Sequence, residues 1–238
     1  MKKVWAAFRQ FTAAIWSDAM LATCLFAPIL IGLVLRFGVP ALEGALAAST
    51  GSPHALMPFY ALFDLFLSLM TPLMLVFSGI MVILEELDDG TARYLMITPL
   101  GKSGYLLSRL GMFGIISIGY NIAISAIFSL SGLSLVLNAL LALCNLPVSL
   151  CVAMIVIAFA KNKVEGMALV KLSGFFFLGY MAAWFLQKPT AYLAGVLPSY
   201  WLALIVRENA PLWAVPALMV SLVWIALLYK RFRRRVMA

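Results

Sequence analysis

The chain has 238 residues, of which 65% are hydrophobic and only 11% charged, with a mean hydropathy of +1.06. So few charges cannot cover a soluble globule of this size, and the composition calls for an all-α membrane protein. The net charge of +8 does not point to nucleic acid, because the bases are scattered between apolar runs or gathered at the C-terminus without a nucleic-acid-binding motif.

Lys2 to Trp16 sets Val4, Phe8, Phe11 and Ile15 on one helical face, with Trp5 and Trp16 beside it and Lys3, Arg9 and Gln10 elsewhere. That pattern fits a helix lying in the membrane interface over residues 1–17, or equally a solvated helix start that continues into the first span. Met1-Lys2-Lys3 starts like a signal peptide, but the first apolar run is longer than a signal's apolar core. Ala19 to Leu35 is the first span, short for ~30 Å of hydrocarbon and closed by Arg36. Phe37 to Met57 mixes Gly, Pro, Ser and Thr with the single histidine, His54, and reads as an exposed loop; a lone His without partners is no metal site.

The second span runs from Pro58 to Leu84 and contains Asp64, the one acid inside an apolar run. At 1.5 Å per residue Asp64 stands ~30 Å from Leu84, at the outer interface, where Arg36 can approach it in a structural or gating role. The third span is Tyr105 to Leu130 and the fourth Leu133 to Ala160, leaving only Ser131 and Gly132 between them. Lys161, Asn162, Lys163 and Glu165 form a charged turn before a fifth span, Met167 to Leu186. Residues 187–211 hold Tyr192, Leu193, Leu197, Pro198, Tyr200, Trp201 and Ile205, the content of a segment that dips back into the outer interface or of an aromatic belt anchoring the adjoining spans. The sixth span, Leu212 to Tyr229, precedes Lys230, Arg231, Arg233, Arg234 and Arg235.

Within the spans Asn121, Asn138 and Asn145 need partners, by default interhelical, although cargo is the alternative. Pro28, Pro72 and Pro147 kink their helices, for packing or for motion. Cys24, Cys144 and Cys151 lack metal or disulfide spacing and read as packing residues. Six spans put both termini on one side. If that side is cytoplasmic it holds 14 of the 17 bases, with Arg36, Lys188 and Arg207 opposite, and the positive-inside rule selects this orientation.

The longest charged interruption is Glu85 to Leu110, which this orientation puts in the cytoplasm. Glu85, Glu86, Asp88 and Asp89 crowd the exit of the second span, and Arg93, Lys102 and Arg109 precede the third. Leu87, Thr91, Tyr94, Leu95 and Thr98 recur at helical spacing, so a short helix is predicted, N-capped by Asp88 or Asp89 and stopped at Thr98 by Pro99. Catalytic readings of this stretch fail. Gly101-Lys102-Ser103 lacks the first glycine of a P-loop, since residue 96 is Met96. Asp89-Gly90-Thr91-Ala92-Arg93 lacks the spacing and the later aspartates of CDP-alcohol phosphotransferases, and Asp88-Asp89 lacks the third acid of DDxxD, so neither can hold Mg²⁺. No catalytic, metal or cofactor site is expected in this chain.

The acid pair, Gly90-Thr91, Leu95, Thr98-Pro99-Leu100 and the following base resemble the second-to-third-span loop of ABC-2 type transporter permeases. In that family the loop is a coupling helix that docks on a separate ATPase subunit, which carries the ATP and Mg²⁺. The resemblance implies ATPase contact over residues 85–104, through Glu85, Glu86, Asp88, Asp89, Gly90, Thr91, Tyr94, Leu95, Thr98 and Pro99. It also implies a connecting helix at the N-terminus and a second permease copy or related permease as partner. Leu197-Pro198-Ser199-Tyr200-Trp201 is similar to the family's re-entrant helices that close the outer end. Asp64, Asn121, Pro198, Tyr200 and Trp201 are thus expected at a pathway or gate. Charge reversal at Glu85 and Glu86 is expected to uncouple transport with the fold intact. An ATP-independent six-helix channel or carrier is the alternative.

Overall fold

A chain that spans lipid must satisfy its backbone internally, and every regular element among the described residues is accordingly a helix. The structure, a computed structural model, describes residues 2–50, 54–187 and 189–237. Lys188, counted above among the outer bases, lies outside them, as do the side chains of Lys2 and Lys3.

Helix α1 (Lys2–Ser17) is followed by six helices long and apolar enough to cross a membrane, interrupted by two short elements. In chain order these are α2 (Ala19–Ser49), α3 (Met57–Asp88), the short α4 (Thr91–Ile97), α5 (Gly101–Phe128) and α6 (Leu135–Phe159). There follow α7 (Lys163–Phe185), the ten-residue α8 (Pro198–Arg207) and α9 (Pro211–Val236). Helices α3 and α6 are the most buried and form the centre, with α5 against both, α2 against α3 and α9 against α6. Asp18, Glu85, Lys161, Lys163 and Arg235 meet at one end of the bundle, hereafter the near end. The turn at 129–131 and residues 183–208 mark the far end.

Six spans are present, but several bounds differ from expectation. The first does not stop at Arg36: α2 runs on through a π turn, Val34–Gly38, into an Ala-rich helix, so most of the expected loop from Phe37 to Met57 is helical. The π turn widens the helix just before Pro40, easing the clash its ring would otherwise make, and the Ala and Leu that follow favour helix. Glu43 on this extension is buried and accepts from the amides of Leu56 (3.2 Å) and Met57 (3.1 Å) and from the Tyr60 hydroxyl, closing the entry to α3.

Helix α3 outlasts its apolar run and carries Glu85 to Asp88 in its final turn. Helix α5 begins at Gly101, before Tyr105, and the α5–α6 connection spans 129–134 rather than two residues. Helix α7 starts at Lys163 because Asn162 caps it, accepting from Glu165 N at 2.8 Å, while the Glu165 carboxylate accepts from Lys161 N at 2.8 Å. In α9 the basic tail continues the helix to Val236.

At mid-bundle Pro72 has no N–H to give the carbonyl of Ser68, four residues back. That carbonyl instead accepts from Asn121 Nδ2 of α5 (2.9 Å) and Asn145 Nδ2 of α6 (3.1 Å). Asn145 also reaches Ser68 Oγ at 2.9 Å, Ser125 Oγ donates to Asn121 Oδ1 at 3.0 Å, and the Tyr180 hydroxyl of α7 donates to Asn145 Oδ1 at 3.4 Å. The proline thus creates the acceptor that ties four spans together.

Replacing Asn121 or Asn145 by Leu is predicted to cost about 0.5–1 kcal/mol each in detergent unfolding. The double variant should cost more than the sum, because the carbonyl then loses its last donor. Adding Pro72→Ala, which restores an N–H at position 72, should remove that excess.

Candidate functional site

The residues singled out by sequence fall at two places, the near-end surface around α4 and the far-end segment around α8.

At the near end the largest fully buried side chain is Arg109, 1% exposed and carried by a π turn, Leu107–Gly111, near the start of α5. The extra residue of that turn aims the guanidinium under α1. There Nη2 meets Glu86 Oε1 at 2.5 Å, Nε meets Glu86 Oε2 at 3.2 Å, and Nη1 donates to the carbonyl of Ala7 at 2.7 Å. The Tyr105 hydroxyl donates to Glu86 Oε2 at 2.8 Å, and the guanidinium carbon stands 5.1 Å from the Phe11 ring centroid. A bidentate pair with a further donor on a carbonyl is the arrangement in which a buried charge is tolerated. Phe8, Phe11 and Ile15 bury the predicted face of α1, with Phe11 edge-on to Phe113 at 5.2 Å, while Trp5 and Trp16 remain exposed.

Helix α4 is built on this base. Neither Asp88 nor Asp89 caps it: Asp89 closes α3, and Gly90, at φ +74°, reverses the chain and stands at the N-cap. A side chain at Gly90 would have to adopt that left-handed conformation, which glycine takes freely. Ala92 and Met96 face the bundle and are buried, with Leu95 half-buried. Thr91, Arg93, Tyr94, Ile97, Thr98 and Pro99 are exposed, so the predicted stripe through Thr91, Tyr94 and Thr98 points mostly outward. Tyr94 is 71% and Ile97 82% exposed, side by side on one helical turn. Thr98 ends the helix, its hydroxyl donating to Leu95 O at 2.6 Å and accepting from Leu100 N at 3.3 Å. Between Thr98 and Pro99 on one side and Ala7, Arg9 and Gln10 of α1 on the other lies an open groove of about 530 Å³.

The four acids do not form one surface. Glu85 pairs with Lys163 at 2.8 Å, and the same ammonium lies 3.4 Å from Asp18. Asp88 accepts from Lys163 N at 2.9 Å, and Asp89 is exposed. Asp18 caps α2 by accepting from Met20 N at 2.9 Å and Leu21 N at 3.3 Å. Although partial burial opposes ionisation, the Leu21 amide, Lys163 and the Met20 amide hold this carboxyl below the usual carboxylate range. Glu86 is turned inward to Arg109, so reversing its charge cannot leave the fold intact, contrary to the sequence-based expectation. Sequence reasoning missed this hub. The available signal was Tyr105 and Arg109 four residues apart, opposite an acid at the end of the preceding span.

At the far end Asp64 is 5% exposed and fully engaged in holding the α5–α6 turn. It accepts from Ser129 Oγ (2.9 Å), Leu130 N (2.8 Å), Ser131 N (2.9 Å) and Ser131 Oγ, while Arg36 donates to Ser129 O at 2.7 Å. Arg36 and Asp64 therefore serve one turn without pairing. Asn121 is likewise committed to Ser68.

The segment after α7 doubles back along the bundle. From Leu186 it descends through a 3₁₀ stretch, Thr190–Val196, then turns at Leu197 and returns as α8, with Pro198 at the first helical position, where a missing N–H costs nothing. Trp224 of α9 donates to Val196 O at 2.9 Å, and Ser199 and Tyr200 sit against Gly179, six residues before the end of α7. The turn therefore lies about 10 Å below the end of α7. Tyr200 is 1% exposed and edge-on to Trp201, which stacks on Trp213 at 5.4 Å and donates to Gly195 O at 2.8 Å. Arg207 donates to Ala183 O and holds the upper end. Tyr200, Trp201 and Trp213 thus form one aromatic cluster, with buried Pro198 at the start of α8.

With this geometry in view, the chain matches, over residues 12–230, the family described as fluoroquinolones export permease protein Rv2686c-like. Two curated proteins of Mycobacterium tuberculosis, the fluoroquinolones export permease proteins MT2760 (strain CDC 1551 / Oshkosh) and Rv2686c (strain ATCC 25618 / H37Rv), are similar to it. Each is 25% identical, covering 92% of this chain and 90% of the relative. No solved structure matches the chain at significance.

Arg109→Ala or Glu86→Arg is predicted to lower stability by about 3–5 kcal/mol in detergent melts, because one buried charge is left unpaired. Glu85→Gln, at an exposed pair, should cost about 1 kcal/mol or less in the same assay. At the far end, a Cβ at Gly179 would stand 2.2 Å from Ser199 Oγ and 2.6 Å from Tyr200 N. Gly179→Ala should therefore cost about 1–3 kcal/mol and expose the 190–207 segment to limited proteolysis.

Proposed function

The chain belongs to the Rv2686c-like fluoroquinolones export permease family, and from that premise we propose that it is the permease subunit of an ABC-2 type exporter driven by a separate ATPase. It is a multi-pass membrane permease. In the proposed cycle the near end faces the cytoplasm, and α4 is the element on which the ATPase pushes.

The observation that carries this reading is the pair Tyr94 and Ile97, large side chains standing in water on a short helix whose base is fixed by buried Ala92 and Met96. An exposed aromatic and aliphatic pair on a rigid mount is the form of an interface anchor. The groove between α1 and Pro99 beside it gives a partner a second foothold. A push on α4 reaches α3 and α5 through Glu86 and Arg109, and α1 through the Ala7 carbonyl. For ATP to drive transport, the ATPase must bind the inward- and outward-open arrangements with different affinity.

A second permease copy or related permease completes the pathway in this proposal, and α8 closes its outer end. For cargo we extend to this chain the class named for its relatives, a small drug-like molecule such as a fluoroquinolone.

The test is affinity purification of the tagged chain in mild detergent, with ATPase activity assayed on what accompanies it. A soluble ATPase should co-purify, and Tyr94→Ala with Ile97→Ser should remove it, at least tenfold, with melting unchanged. A lone chain that moves solute after reconstitution without ATP would overturn the proposal in favour of a channel or carrier.

A further inference from the structure

We propose that the last two turns of α9, together with the Phe159–Lys161 segment, form a binding surface for anionic phospholipid. Helix α9 spans 26 residues, Pro211–Val236. At 1.5 Å per residue that is ~39 Å, against ~30 Å of hydrocarbon, so about six residues at its near end stand in the headgroup layer. They hold Arg231, Arg233, Arg234 and Arg235, with Lys230 one position before them.

These turns are docked, not frayed. Phe232 and Val236, one turn apart, are buried against the bundle, which leaves Lys230, Arg231, Arg233, Arg234 and Arg235 exposed around them. Two of the guanidinium groups are fixed in place. Arg231 lies 4.1 Å from the centroid of the Phe159 ring, and Arg235 donates to Lys161 O at 2.6 Å, bringing the exposed Lys161 alongside. None of the three ion pairs among the described residues uses a base of α9. The nearby acids are engaged elsewhere: Glu165 accepts from Lys161 N, Glu85 and Asp18 meet Lys163, and Asp88 accepts from Lys163 N. Arginine offers its phosphate partner several donors in a fixed fork, so guanidinium groups already held in place lose little freedom on binding.

The same face identifies the ligand as a lipid and not a free anion. Val223, Leu227, Lys230 and Arg234 follow one another at helical spacing, and Val223 and Leu227 are 56% and 73% exposed. An acyl chain lying along Val223 and Leu227 delivers its phosphate to Lys230, Arg231 and Arg234. Zwitterionic lipid offers the same chains without the net negative charge, so the surface discriminates by headgroup. This inference is independent of ATP coupling.

The experiment is native mass spectrometry of the full chain in detergent with an equimolar mixture of phosphatidylglycerol and phosphatidylcholine of identical acyl chains. The wild type should retain phosphatidylglycerol preferentially. Neutralising Lys230, Arg231 and Arg234 to Gln should erode that preference by roughly fivefold per base, whereas Arg231→Lys with Arg234→Lys and the control Arg93→Gln should keep most of it. Equal retention of both lipids by the wild type overturns the proposal, and so does a preference that survives the triple change. Displacement of bound phosphatidylglycerol by inorganic phosphate at equal concentration would mark a free-anion site and likewise overturn it. A triple variant that keeps the lipid but loses a co-purifying protein would assign the surface to that protein instead. If the triple variant fails to fold, the wild-type lipid ratio and the Arg→Lys pair still decide.

Discussion

In hydrocarbon no water is available to satisfy a peptide group, and the carbonyl of Ser68 shows how that constraint shapes this molecule. Pro72 removes its natural partner in the most buried helix. An orphaned carbonyl there costs free energy comparable to a lost hydrogen bond. The carboxamides of Asn121 and Asn145 offset the loss, and in doing so fix the relative heights of α3, α5 and α6. Tyr180 extends the same network to α7. Polar side chains that looked like possible cargo contacts are thus first of all the completion of a backbone.

The same economy of donors governs the two ends of the bundle. At the near end, Arg109 closes a pair with Glu86 and then reaches a carbonyl of α1, so a helix outside the six spans is held by a buried charge. At the far end, one acid, Asp64, organises the 129–131 turn, and another, Glu43, organises the entry to α3. Buried ion pairs contribute little net stability but make wrong registers costly. That matches an element whose position, more than its strength, has to be right.

Hydropathy made the six spans legible, because a run of apolar side chains and its charged flanks report directly on lipid. The boundaries were less legible, since helix continues past the apolar run wherever propensity and capping allow it. Pro40 and Gly38 looked like loop residues, and only the π turn beside them explains why α2 continues. Glu85 and Glu86 are neighbours of the same type, yet one faces Lys163 in water and the other Arg109 under α1. A hundred-degree step along a helix decides between them, and the partner that decides it lies more than twenty residues away. The re-entrant segment was readable as aromatic and half-apolar. Its depth depends on Gly179 and Trp224, which no local pattern connects to it.

The acid clamp at Glu43 also bears on the order in which the protein can be put together. Its acceptor oxygens are filled by Leu56, Met57 and Tyr60, all within seventeen positions along the chain. As synthesis proceeds, the entry to the second span can therefore be fixed against the end of the first as soon as Tyr60 has emerged, before the rest of α3 is made. Helix α1, made earlier still, touches α2 through Trp16 and Phe26, 5.9 Å between ring centroids, but the guanidinium that seats it belongs to Arg109, 102 positions after Ala7. Its final seating thus waits until the third span has been made.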